Sequence, residues 1–348
     1  MKIHKIGVLG SFALLVGCAS EPILPTGDIE TPAVSLKSFV DPSADPIRAL
    51  TMGYDGGTVQ YVPGLPVKRS EFLNLCGAAT PDYLDVEYFS SKLGLDSSYA
   101  QSNWPSTVLI EWKSSDEIDA QFLPDDNGNI GSERWCTGTV ISSNQILTAG
   151  HCFDVNGPNI PGYVGWETPF NLAANGTKEY LEPDQLTTIM RVRQNYQRSS
   201  AQSGALSSGP TFDIIGFASN NGNAEYRLGG LDYAIIEVDV SRNPLPAPAR
   251  IGRTDAKVGD VVAIIQHPAG EPKKIDVGNV SSEVGIITAY DNLDTKGGTS
   301  GAGLRDASGV IRGVHVGGAC NWGIGNQAVR IEAILSESGT LAALPNLP

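Results

Sequence analysis

The sequence predicts an all-β body, and three observations carry that expectation. The 348 residues include 40 Gly and 22 Pro, only 18% of them are charged, and short runs rich in Val, Ile and Thr recur between turn-forming residues. Many short strands of this kind suit a barrel or sandwich better than a helical bundle. With 41% hydrophobic residues the chain can bury a sizeable core in one large or two modest domains. Its formal charge of −14 leaves nothing to neutralise phosphates, which argues against a nucleic-acid partner.

Residues 1–17 carry Lys2 and Lys5 and then an apolar stretch from Ile6 to Gly17, the charge and length of a secretory signal rather than of a membrane span. The stretch ends in Leu15-Val16-Gly17-Cys18, which resembles the bacterial lipobox. That resemblance implies acylation of Cys18 as the first mature residue and, with Ala19 after it, an outer-membrane anchor. The alternative is ordinary cleavage after Ser20 and an exported, secreted protein. In either case the mature chain is not expected to cross a bilayer, since no later stretch is long and apolar enough, and a membrane would be met only through the N-terminal lipid anchor. Taking Lys2 and Lys5 from the 24 basic residues leaves 22 against 38 acidic ones, a formal charge of −16.

Residues 18–70, rich in Pro, Gly, Ser and Asp without a sustained period, read as tether and linker. Residues 71–103 are denser and carry Cys76; helical turns are expected around Glu71 to Leu75 and Glu87 to Leu95, and the segment is expected to be a strap or a proregion. A single domain is expected over 104–348. Its strand runs are VLIEW (108–112), TGTVIS (137–142), QILTAG (145–150), TIMRVR (188–193), YAIIEVDV (233–240), VVAIIQ (261–266), GIITAY (285–290), VIRGVHVG (310–317) and AVRIEAI (328–334). Residues 198–210 and 219–230 read as long polar loops, and 331–344 has helical spacing for one terminal helix. Besides Cys18 there are Cys76, Cys136, Cys152 and Cys320, which in an oxidising compartment form two disulfides by one of three pairings.

Three segments carry chemistry. In CTGTVISSNQILTAGHC, a strand pair leading to a tight turn at Ala149-Gly150 puts His151 at a strand end, and a Cys136–Cys152 bridge would fix that turn for about 3 kcal/mol. In GGLDYAIIEV, Asp232 stands at the mouth of an apolar strand, where a buried carboxylate needs a partner; Asp213 in TFDIIGF is its rival. In DTKGGTSGAGL, glycines on both sides of Ser300 permit a strained turn that exposes the hydroxyl and turns the N–H groups of Gly298 and Ser300 to one side, where they can bind an oxyanion.

The order His151, Asp232, Ser300 and the words TAGHC, DYAII and GGTSGAG resemble the trypsin/chymotrypsin-like serine proteases over roughly 104 to 335. An α/β-hydrolase is disfavoured, because that class runs Ser, acid, His and its elbow motif fails at Ala302. The resemblance implies a double six-stranded antiparallel β-barrel with a C-terminal helix, and a secreted endopeptidase that cleaves protein or peptide substrates through an acyl-enzyme. It further implies His151, Asp232 and Ser300 as triad, Gly298 and Ser300 as oxyanion hole, no cofactor and no metal. A monomer is expected. A catalytically silent binding module on the same fold, or an envelope structural lipoprotein, are the other classes to separate from it.

The sequence departs from animal trypsins in two places. Thr299 replaces the Asp that pairs with a newly cut N-terminus, and Lys296 replaces a pocket cysteine, so Cys320 must find another partner. With Cys136 and Cys152 paired, Cys76 and Cys320 remain, a pairing that resembles bacterial lysyl endopeptidases and makes 71–103 a strap. Asp294 stands where trypsins select Lys or Arg, whereas Thr295 and His315 resemble the pocket pair of bacterial glutamyl endopeptidases; the two readings conflict. His267 in QHPAG resembles a structural turn of the bacterial branch.

Overall fold

The computed structural model describes residues 73–344, apart from 77–79, 123, 127, 129, 155–166, 200–203, 230 and 321–324. The leader, Cys18 and the tether lie outside the described residues. Twelve strands form two closed six-stranded antiparallel β-barrels, the chymotrypsin-like arrangement. The first consists of β1 (Thr107–Trp112), β2 (Arg134–Val140), β3 (Gln145–Thr148), β4 (Met190–Arg193), β5 (Thr211–Phe217) and β6 (Tyr233–Val238), closed in the order β5-β4-β1-β2-β3-β6-β5. The second consists of β7 (Val261–Gln266), β8 (Lys274–Val284), β9 (Ile287–Asp291), β10 (Gly303–Asp306), β11 (Ile311–Ala319) and β12 (Gly325–Arg330), closed as β7-β10-β11-β12-β9-β8-β7.

Closure removes the unpaired sheet edges and buries apolar side chains inside each ring. Val108, Ile110, Ile146, Ile214 and Ile236 belong to the core of the first barrel, and Val262, Ile264, Val280, Leu304 and Ala328 to that of the second. A third cluster joins the N-terminal segment to the outside of the second barrel: Val86, Phe89, Leu95 and Ala100 pack on Ala263, Ile265, Ile275 and Val277. These side chains alternate with Val262 and Ile264 along β7, which accounts for an unbroken apolar strand in an antiparallel sheet.

Several expectations are corrected. Residues 87–95 form no helix. Leu93 and Gly94, at φ of 50° and 86°, make a two-residue turn between Ser91–Lys92 and Leu95–Asp96. The helix starts ten residues later than expected, Ser97–Asn103, with Asp96 accepting from the N–H groups of Ser98 and Tyr99. Leu73–Asn74 is a strand paired with Lys296 and Thr295, not a helical turn. The expected terminal helix is two, Ile331–Glu337 and Gly339–Ala342, because extended Ser338 interrupts the first and its hydroxyl caps the second. The AVRIEAI run divides at Arg330 into the end of β12 and the start of the first of these helices. In 219–230, Ser219–Asn220 pairs with Asn223–Ala224, and Tyr226–Arg227 extends the sheet beside β6. Three barrel strands, β5, β8 and β10, were absent from the expected runs.

Candidate active site

Strand β3 ends at Thr148 and the chain turns through Gly150–Phe153, which puts His151 on a one-turn 3₁₀ segment rather than in a strand. Cys152 is bridged to Cys136 of β2, and the indole N–H of Trp135 donates to the Cys152 carbonyl at 3.0 Å. Asp232 sits one residue before β6, 1% exposed and at φ of 34°, an uncommon conformation for a residue with a side chain. That conformation coincides with double use of its carboxylate: Oδ1 accepts the His151 main-chain N–H at 2.8 Å and Oδ2 lies 2.7 Å from His151 Nδ1.

The carboxylate can only accept, so the ring proton belongs on Nδ1 and the lone pair on Nε2. Nε2 is 2.8 Å from Ser300 Oγ, whose O–H therefore donates to it. Ser300 itself is 5% exposed and is held from both barrels. Its carbonyl accepts from Thr137 N–H of β2 at 2.9 Å, and the next N–H, of Gly301, donates to the His315 carbonyl of β11 at 2.8 Å. Gly301 has φ of 87°, and a Cβ there would lie 2.0 Å from Thr148 Oγ1 and 2.2 Å from the Thr137 carbonyl, so only glycine fits. The rival Asp213 is elsewhere, with its side chain 60% exposed and paired with Lys113 at 2.9 Å.

Gly298 has φ of 100°, and its N–H and that of Ser300 have no acceptor among the described residues. The remaining predicted positions surround a second centre. Thr295 donates its hydroxyl to Asn326 Oδ1 at 3.0 Å, and His315 Nδ1 is hydrogen-bonded to the Tyr290 hydroxyl. Burial pushes the His315 imidazole down to about 3, with repulsion from His151 adding to it. The Asp294 carboxylate is occupied by the N-terminal segment: Oδ1 accepts Cys76 N–H at 2.7 Å and Oδ2 accepts Asp82 N–H at 3.0 Å. Burial pushes this carboxyl up, and the two N–H donors pull it back. Cys76 is bridged to Cys320, so strand pairing, disulfide and hydrogen bonds all tie the segment to the same wall.

Carboxylate oxygens of Asp82, Asp276 and Asp294 lie within 4.8 Å of one another, a donor set that could hold a cation. Lys92 already supplies one. Its ammonium is 2.6 Å from Asp276 and 2.9 Å from Asp82 and also donates to the Asn292 carbonyl. Burial pushes the Asp276 carboxyl up to about 7 against the pull of Lys92. His267 is fully buried, with Nδ1 3.0 Å from the Glu271 carbonyl and its ring tilted against Tyr196; it meets none of the three groups at Ser300. Sequence reasoning missed Tyr290, Asp276, Lys92 and Thr137. Asp276 had a signal, an acid between Ile275 and Val277 in a stretch otherwise apolar enough for a strand.

A family model described as trypsin-like peptidase domain matches residues 136–314. No curated protein matches the chain. Among solved structures the chain is similar to a Glu endopeptidase in complex with MPD, at 21% identity and a TM-score of 0.41, covering 67% of this chain and 88% of that one. It is also similar to the active form of the Rv3671c protease from M. tuberculosis, at 16% identity and a TM-score of 0.41, covering 69% and 84%. For Deg5 the identity is 17% and the TM-score 0.40, covering 69% and 90%.

Proposed function

We propose, since the chain belongs to the trypsin-like peptidase domain family, that it is a serine endopeptidase acting through His151, Asp232 and Ser300. The observation that carries this is the unbroken series from Asp232 Oδ2 to His151 Nδ1 and from His151 Nε2 to Ser300 Oγ, at 2.7 and 2.8 Å. Ser300 Oγ attacks the scissile carbonyl while Nε2 takes its proton; the imidazolium formed is stabilised by Asp232 and then protonates the leaving amine. The Gly298 and Ser300 N–H groups receive the oxyanion, and water attacking through the same base releases the acyl-enzyme.

The finer specificity follows from what Asp294 is doing. Its two oxygens are turned toward the N-terminal segment, and swinging them round to meet a Lys or Arg side chain would break the hydrogen bonds from the Cys76 and Asp82 main-chain N–H groups. His315, neutral at working pH, and Thr295 remain as pocket groups, which favours an acidic or uncharged residue before the scissile bond over a basic one. We further propose export and a lipid at Cys18, resting on the leader sequence and consistent with two disulfides. Residues 71–103 stay attached as a strap in this reading.

Fluorophosphonate labelling tests the reading. An adduct on Ser300 in the oxidised protein, lost in His151→Ala, is expected. No adduct under conditions that label a control protease would leave a silent binding module instead. Cleavage of a peptide library reports the specificity, and predominant cuts after Lys or Arg would overturn it. Labelled-palmitate incorporation abolished by Cys18→Ala is expected for the anchor, and a wild type that takes up no label would remove it.

A further inference from the structure

We infer that Thr137 and the His267–Gly270 turn are positioning groups for the oxyanion hole, holding the two peptide planes on either side of Gly298, while the serine turn itself holds the third, so that the N–H groups of Gly298 and Ser300 stay free. The inference rests on the proteolytic reading. A trans peptide is planar with its C=O and N–H opposed, so fixing a carbonyl aims the N–H behind it. The Gly297 carbonyl accepts Ala269 N–H at 2.6 Å, which turns Gly298 N–H the other way. In the next plane the Gly298 carbonyl accepts the Thr137 hydroxyl at 2.8 Å and Thr299 N–H donates to the Lys296 carbonyl at 3.0 Å. In the third the Thr299 carbonyl accepts Ala302 N–H at 2.9 Å, turning Ser300 N–H away.

The direction of the Thr137 bond is itself fixed. Its oxygen accepts His267 N–H at 3.0 Å, so its one proton goes to Gly298. The turn is built to bring its N–H close. Ala269 adopts φ of 54° and ψ of 26°, a strained conformation for a residue with a Cβ, and a Cβ on Gly298 would lie 2.6 Å from the His267 carbonyl. Thr137 belongs to the first barrel and the turn follows β7 of the second, so both barrels grip the segment. The Gly297–Gly298 pair could otherwise rotate a peptide at little cost and turn a carbonyl into the hole.

The test is Thr137→Val, which keeps the shape and removes the hydroxyl. Expected is a fall in kcat of about 10- to 100-fold with KM within twofold, since the hole acts on the transition state. A peptide aldehyde, whose adduct puts an oxyanion in the hole, should lose affinity by the same factor, while the matching peptide alcohol keeps its affinity. Thr137→Ser should restore both, and Thr137→Ala carries the expectation of Thr137→Val should the latter not fold. Turnover and aldehyde affinity within twofold of wild type, or aldehyde and alcohol affinities falling together, would overturn the inference. A wild type that neither turns over nor prefers the aldehyde would overturn the proteolytic reading instead.

Discussion

Replacing Asp232 by Asn leaves one oxygen for two donors. The main-chain N–H of His151 cannot move its proton, whereas the ring can, so the amide oxygen stays with the main chain and the amide NH₂ faces Nδ1. The ring proton then shifts to Nε2, which can no longer accept from Ser300. Regaining the productive tautomer sets two donors against each other in a buried site, about 1–3 kcal/mol. The second loss is the carboxylate's attraction for the imidazolium, which at the 2.7 Å separation is about 6 kcal/mol at an effective dielectric of 20, part of it already present in the neutral hydrogen bond. Together these give about 5 kcal/mol, or about 10⁴-fold in kcat, the size of fall known for the matching change in a chymotrypsin-type triad. Asp213→Asn, at an exposed ion pair, should stay within about twofold. Initial rates on one peptide ester for the two variants decide it. Asp232→Asn retaining more than a tenth of wild-type kcat, or Asp213→Asn falling as far, would refute the assignment.

Stability should fall as pH drops from 6.5 toward 3. His267 and His315, pushed down to about 3, stay neutral in the fold while the unfolded chain takes up protons below 6.5. The buried Asp276 works in the opposite sense between 3.8 and about 7, which leaves a net loss of about 1.4 kcal/mol per pH unit, checked by urea midpoints at pH 7 and pH 5. Lys92→Met strips the buried Asp276 of its ammonium and should cost about 2–3 kcal/mol, read as a fall in Tm of several degrees; a change under one degree would speak against it. Asp294→Asn should leave the preference between Glu and Lys substrates within about threefold, because that side chain faces Cys76 and Asp82; a collapse of Lys cleavage alone would restore it as a pocket charge.

The parts legible in the sequence were those set by local pattern. Apolar runs such as YAIIEV and VVAIIQ declare themselves strands because both of their faces are covered, and His151, Asp232 and Ser300 each sit in a distinctive word. Strand β8 escaped notice because Lys274, Asp276 and Gly278 interrupt its apolar residues, and the charge on Asp276 is answered by Lys92, 184 residues away. Separations of 218 and 212 residues hid the occupation of Asp294 by Cys76 and Asp82. The helix expected at 87–95 failed because Leu93 and Gly94 adopt left-handed conformations that no helical periodicity reports. Thr137 looked like one more β-branched strand residue; only the folded chain shows its hydroxyl beneath Gly298.

The Cys76–Cys320 bridge has a practical bearing on how this protein would be handled at the bench. A cut at any single peptide bond between those two cysteines yields two fragments that remain covalently joined. Self-cleavage in an exposed loop would therefore leave the band of intact protein unchanged on a non-reducing gel and split it only after a thiol is added. Preparations judged homogeneous without reductant could be fully nicked, and activity lost on storage would have no visible companion until the reduced lane is run beside the oxidised one.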